Sequence, residues 1–201
     1  VISASSIDDT IAWYENNNGD GSSWTATDIA TDKDAARSVY VADIDGDGDM
    51  DIISASKLDN TIAWYENNNG DGSSWTATDI ESGSFAHYVT SVFAADIDRD
   101  GDVDVLSGSQ FGRIYWYENS NSDGSTWNAS LKASRSNSNL RSLYGADMDG
   151  DGDIDLVSAD YSQDAIAWYE NTGFSYSYTW DVDNPSAPSD GTYGVTVQEL
   201  T

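Results

Sequence analysis

Cysteine is absent from this chain, and histidine occurs once, at His87. The first absence excludes disulfides and thiol chemistry without deciding the compartment. Together the two leave nitrogen- and sulfur-seeking metals without their ligands. Basic residues are scarce as well: 8 Lys and Arg stand against 36 Asp and Glu, for a net charge of −28. Nucleic acid and anionic membrane surfaces are themselves negative, so neither is expected as a partner. No apolar run reaches the roughly 18 residues of a membrane-spanning helix, and no membrane insertion is expected. Val1 is not an initiator residue and nothing leader-like follows it. The chain therefore reads as a processed or excised piece whose start says nothing about targeting.

Acidity of this degree with few aromatics would suggest disorder, but Phe, Trp and Tyr make up 12% of the chain and favour folding. The 201 residues are enough for one domain with a sizeable core. The aromatic residues also reveal a repeat. Ile11-Ala12-Trp13-Tyr14-Glu15-Asn16 returns at Ile62 to Asn67, at Ile114-Tyr115-Trp116-Tyr117-Glu118-Asn119, and at Ile166 to Asn171. Trp13, Trp64, Trp116 and Trp168 are spaced by 51, 52 and 52 residues, and Trp24, Trp75, Trp127 and Trp180 follow them one by one.

Each repeat reads as four short strands. In the second, Ser38 to Ile44, Asp51 to Ser56, Thr61 to Glu66 and Trp75 to Ile80 are strand-like, with an Asp/Gly loop after the first. Asn67-Asn68-Asn69-Gly70-Asp71-Gly72 supplies residues that tolerate the left-handed backbone of a hairpin. No helical period of useful length is present. The expected fold is all-β and β-propeller-like, with four blades of four strands at repeats of about 51–53 residues. The blades fall at 1–37, 38–90, 91–141 and 142–183, followed by a tail at 184–201.

The ends of the chain are informative in this scheme. Val1-Ile2-Ser3-Ala4-Ser5 matches Ile52 to Ser56, so the first blade begins at its second strand. The tail Thr192-Tyr193-Gly194-Val195-Thr196-Val197 matches Leu143 to Met148, the first strand of the fourth blade. That strand can close a ring within the chain, removing exposed sheet edges. It can instead enter a neighbouring subunit and polymerise, or the chain is a slice of a longer array.

Three segments carry the chemistry. They place carboxylates at Asp43, Asp45, Asp47, Asp49 and Asp51, at Asp96, Asp98, Asp100, Asp102 and Asp104, and at Asp147, Asp149, Asp151, Asp153 and Asp155. Five carboxylates in nine residues repel one another by roughly 1 kcal/mol per close pair even in water. Positions one, three and five can curl around one centre, with Gly48, Gly101 or Gly152 at the sixth making the turn. The seventh offers its carbonyl and the ninth a last carboxylate. So many hard oxygen ligands suit Ca²⁺ better than Mg²⁺, and three calcium sites are expected. The loops are not EF-hands, because the twelfth position from Asp43 is Ser54 and the flanks are strands. Arg99 replaces a glycine at the fourth position of the second loop, a site that should bind somewhat more weakly.

This strand–loop–strand followed by IAWYEN resembles the FG-GAP/VCBS-type repeats, the integrin-α-like propeller blades. The resemblance spans four tandem units, although the Phe-Gly and Gly-Ala-Pro element is missing. It implies an extracellular or cell-surface protein in which calcium loops brace a propeller used for adhesion, ligand binding or assembly. It also implies the same Asp ligands, with Asp49 and its equivalents acting through their carbonyls.

Catalysis is not expected. Glu15, Glu66, Glu118 and Glu170 recur at one blade position and read as structural hydrogen-bond partners, and no triad partners surround His87. The regular Trp residues point to packing between blades, with the alternate Tyr facing outward, ahead of a carbohydrate-stacking platform. Asn128-Ala129-Ser130 is the single N-glycosylation sequon. Three readings follow: a module presenting a propeller face to a protein or glycan ligand, a filament or surface-layer subunit joined through its tail strand to identical subunits, and a carbohydrate-binding propeller or accessory domain of a larger secreted protein.

Overall fold

Short β-branched and aromatic runs, interrupted by Gly, Asn and Asp, favour strands joined by tight turns. The structure, a computed structural model, describes residues 1–173 together with the backbone of strands at 176–180 and 195–196. Among these residues there is no helix.

The strands form four antiparallel sheets, each meandering in chain order. The first holds β1 (Ile2–Ser5), β2 (Thr10–Asn16) and β3 (Trp24–Ala30). The second holds β4 (Ala36–Ala42), β5 (Asp51–Ser56), β6 (Thr61–Asn67) and β7 (Trp75–Ser82). The third holds β8 (Val89–Ala95), β9 (Asp104–Ser109), β10 (Arg113–Asn119) and β11 (Trp127–Arg135). The fourth holds β12 (Leu140–Ala146), β13 (Asp155–Asp160), β14 (Ala165–Asn171) and β15 (Tyr176–Trp180).

Two details differ from the sequence reading. The strand expected over Ser38 to Ile44 lies earlier, at Ala36–Ala42, with a bulge between Ala36 and Ser38. Asp43 and Ile44 belong to the acidic loop instead. The tail strand expected over Thr192 to Val197 lies outside the described residues except for β16 (Val195–Thr196). There the chain pairs with Arg135 and Ser134 of β11, not with the first sheet.

Neighbouring sheets pack face to face, and the burial explains the repeat. One apolar cluster joins the first and second sheets through Ile11, Ile52, Ala63 and Tyr65. Another joins the second and third through Ile53, Ile62, Trp64, Val92 and Tyr117. A third joins the third and fourth through Leu106, Ile114, Leu143, Leu156 and Tyr169. In every case the Ile/Trp face of one sheet meets the Ala/Tyr face of the next. Each fully buried Ile or Leu stabilises this stack by roughly 1.5–3 kcal/mol. The first strands add an aromatic line, with Tyr40 and Phe93 centroids 5.0 Å apart and Phe93 and Tyr144 5.3 Å apart.

The expectation that alternate Tyr residues face outward is corrected here. Tyr65, Tyr117 and Tyr169 are buried, and each shares a hydroxyl contact with Ser54, Ser107 or Ser158. In a stack of sheets both faces of an inner strand are interior, so alternation does not separate core from solvent.

Candidate metal centres

Each acidic loop joins the first and second strands of a sheet, and three features shape it. Glycine at the sixth position has φ of +97° at Gly48, +100° at Gly101 and +92° at Gly152, a region that side chains rarely enter. The first carboxylate then reaches across the turn. Asp43 and Asp147 each accept the N–H six positions into the loop at 3.0 Å, from Gly48 and Gly152, and Asp96 accepts that of Gly101 at 3.2 Å. At the third position, Asp45, Asp98 and Asp149 accept the N–H groups of Asp47, Asp100 and Asp151.

The ninth carboxylate ties the loop to the sheet. Asp51, Asp104 and Asp155 are buried. One oxygen of each accepts the backbone N–H of Asn67, Asn119 or Asn171 at 2.8, 2.9 and 2.7 Å. The other accepts the N–H of Ile44, Ile97 or Met148 at 3.2, 3.3 and 3.0 Å. Burial pushes the Asp104 carboxyl up to about 7, against the pull of the Asn119 N–H and of the Trp116 indole. Burial also raises Asp51, Asp45 and Asp98.

Ligand-type oxygens converge in all three loops. Those of Asp43, Asp45 and Asp51 lie within 4.8 Å of one another, as do those of Asp96, Asp98 and Asp100, and those of Asp147, Asp149 and Asp155. The Asp43 and Asp96 Oδ1 atoms are buried and accept no hydrogen bond. An orphaned carboxylate oxygen beside further carboxylates is a costly arrangement that a hard cation relieves, so the donor set fits calcium.

The seventh-position side chains turn away from these clusters. Asp49 packs beside Gly70, Asp102 accepts the Ser122 hydroxyl at 2.6 Å, and Asp153 pairs with Arg99 at 2.7 Å. Asp47 and Asp151 each accept the N–H of the residue two positions on, at 2.8 Å.

Two sets of neighbours escaped the sequence reading. The Asn that ends each IAWYEN strand does more than close a hairpin. Asn119 donates through Nδ2 to the Ile44 carbonyl of the preceding sheet's loop at 3.0 Å, and Asn171 to that of Ile97 at 3.4 Å. Only the recurrence of Asn at that position signalled this. Glu118 and Lys132 form the second set, both charged neighbours of Asp98. Lys132 also lies over the Trp116 ring at 4.3 Å. A cavity of about 580 Å³ lies between the first and second sheets, lined by Ile2, Trp13, Val41, Met50, Asn67 and Trp75.

The remaining singled-out residues lie elsewhere. His87 is exposed and stacks on Phe111, with centroids 5.2 Å apart. Asn128 is exposed on β11 and donates to Ser120. Trp13 and Trp64 are covered by Gly72 and Gly124 of the following sheet, so they pack between sheets.

No curated protein matches the chain. A family profile described as the FG-GAP-like repeat matches residues 1–54, 51–107 and 96–158, and its successive matches contain the first two acidic loops and then the third. With four blade-like sheets and a loop of this pattern in three of them, the chain belongs to the FG-GAP-like repeat family.

Proposed function

We propose that this protein is a non-enzymatic, calcium-binding module of an extracellular or cell-surface protein, which serves adhesion or ligand binding. The observation that carries the calcium reading is the convergence of three carboxylates in each loop, with the Asp43 and Asp96 Oδ1 atoms buried and unpartnered. In this reading Asp43, Asp45 and Asp51 hold one ion, with Asp47 and the carbonyl of Asp49 completing its shell. The corresponding residues of the other loops hold two more. A bound ion offsets the carboxylate repulsion and braces the start of each sheet.

The ligand-binding reading is supported by a patch in which the turns between second and third strands meet the connection from β7 to β8 and the start of β12. Lys57 lies over the Tyr88 ring at 5.3 Å, Tyr88 and His87 pack on Phe111, and Arg141 lies over Tyr161 at 5.0 Å. Partial burial, and then the neighbouring charges of Arg37 and Arg141, lower the Lys57 ammonium from its ordinary value. Cations and exposed aromatic edges, gathered on so acidic a protein, suit an anionic protein or glycan ligand.

The deciding experiment is thermal unfolding in millimolar calcium and in excess chelator, with calcium counted by a competing indicator. About three ions per chain and a melting temperature several degrees higher in calcium are expected. Equal melting in both conditions sinks the reading.

A further inference from the structure

The charges of this chain are sorted between the two edges of its sheets. The acidic loops follow the first strands and crowd their carboxylates at one edge. Of the 8 Lys and Arg, Lys33, Arg37, Lys57, Arg113, Arg135 and Arg141 lie at the opposite edge, which leaves only Arg99 and Lys132 near the loops. Two of these cations are balanced locally. Lys33 shares its surroundings with Asp32, Asp34 and Asp59, and Arg135 pairs with the buried Asp160 at 3.6 Å. Arg37, Lys57 and Arg141 have no ion pair, although the chain carries 36 Asp and Glu. Partial burial, and then Arg37 and Arg141, act on Lys57, and no carboxylate offsets them. On a protein with a net charge of −28, charge balance alone would not gather three unpaired cations.

The backbone holds this cluster in place. Arg37 sits at the bulge between Ala36 and Ser38, and Arg141 at the matching bulge between Leu140 and Ser142. Bulges of this kind re-aim a side chain out of the strand pattern. Thr90 occupies the same bulge in β8, but it is buried and donates to the Leu140 carbonyl at 2.7 Å, so both exposed bulge positions are arginine. Tyr88 has φ of +54°, a region that bulky side chains rarely enter, and its N–H is held by the Asn60 side-chain oxygen at 2.9 Å. That conformation sets the Tyr88 ring under Lys57 and against the edge of Phe111. Beside the cations, Leu58 is 50% and Phe111 48% exposed.

We propose that this cluster binds an acidic peptide segment of a partner protein, with Arg37, Lys57 and Arg141 receiving its carboxylates and Leu58 and Phe111 an adjoining apolar side chain. The proposal rests on the ligand-binding reading above and narrows it to one chemistry. Arginine clusters suit carboxylates because the guanidinium donates in a fixed fork. The rings favour a peptide over a sugar. Lys57 covers Tyr88, Arg141 covers Tyr161 and His87 stacks on Phe111 at 17°, so a sugar competes for ring faces already in use. A carboxylate side chain meets the cations end on and leaves those contacts intact. Charge also sets the length of the ligand. A long polyanion is repelled by the rest of the chain, whereas a short acidic segment within about 8–10 Å feels mainly the cluster.

Fluorescence anisotropy tests it, with a dye-labelled peptide of alternating Glu and Leu titrated with the full chain in millimolar calcium. The same peptide with Gln in place of Glu is the control. The acidic peptide should bind at least about tenfold more tightly than the neutral one, and its affinity should fall as salt is added. Lys57→Gln and Arg141→Gln should each weaken binding about fivefold. Lys33→Gln removes the same charge at the same edge but outside the cluster, and should change binding less than about twofold. Circular dichroism checks that each variant folds. Binding that survives Lys57→Gln and Arg141→Gln overturns the proposal, and so does an equal loss with Lys33→Gln. A sulfated oligosaccharide that binds through Arg141 where the peptide does not overturns the peptide assignment and leaves the broader ligand-binding reading standing. Failure of both probes to bind removes both.

Discussion

The guanidinium of Arg99, in the second acidic loop, lies 2.7 Å from the carboxylate of Asp153 in the third, and it also donates to the Asp151 carbonyl at 3.2 Å. Arg99 sits at φ +66°, in the left-handed region that Gly46 and Gly150 occupy at the same loop position. Its side chain thus crosses from one candidate metal centre to the next. Half-exposed pairs of this kind contribute little to folding, under about 1 kcal/mol. Arg99→Gly should leave unfolding in chelator nearly unchanged. Removal of the positive charge should raise calcium affinity at these two loops by about two- to fivefold, an effect that shrinks as salt is added. Calorimetric titration at two salt concentrations checks both parts.

Position nine and position five of a loop should separate structure from binding. Asp104 is buried and satisfies the N–H groups of Asn119 and Ile97, so Asp104→Ala strands two donors. A loss of about 2–4 kcal/mol is expected by urea unfolding in chelator. Asp100 is exposed. Asp100→Asn should cost less than about 1 kcal/mol in chelator yet remove about one calcium ion per chain. Similar unfolding midpoints for the two variants in chelator would contradict this division.

The sheet-to-sheet packing of the hairpin glycines can be tested independently. Gly72 and Gly124 have φ of +73° and +66° and face the Trp13 and Trp64 rings, whereas Gly19, at φ +71°, has open space around it. All three alanine variants carry left-handed strain of about 1 kcal/mol. Gly72→Ala and Gly124→Ala add a collision with an indole ring. They should lose about 1–3 kcal/mol more than Gly19→Ala in urea unfolding.

Alkaline unfolding follows from the buried tyrosines. Burial pushes Tyr65 up to about 12 and raises Tyr117 as well, despite hydroxyl contacts from Ser54 and Ser107 that work the other way. The unfolded chain ionises near the ordinary tyrosine value of about 10, so the folded state holds the extra proton above that pH. Stability is complete below about pH 10 and falls as the pH rises towards the folded value. For Tyr65 the loss is about 2–3 kcal/mol. Tyr65→Phe should make the decline of melting temperature between about pH 10 and 12 shallower, as read by circular dichroism.

Much of the fold was legible because strand-forming residues and turns recur together. Trp64 and Asn67 mark the same strand as Trp116 and Asn119, and Asp51 opens a strand just as Asp104 does. The acidic loops were equally visible as sequence. The direction of each side chain was not, because it depends on the turn each glycine permits. Asp49 is an example, since its carboxylate lies against Gly70 instead of joining Asp43 and Asp45. Nor did local sequence announce that Asn119 reaches back to Ile44 in another sheet. The misplaced Tyr residues have a related cause: strand alternation reports two faces, and only the stacking of sheets decides that both are interior.

The Asn119 and Asn171 contacts place a hydrogen bond from each later sheet on the lip of the preceding acidic loop. Tension applied to the two ends of the chain would have to part the sheets one after another, and each parting deforms a loop that an ion would stiffen. The resistance of the stack to stretching should therefore follow the calcium level of its surroundings.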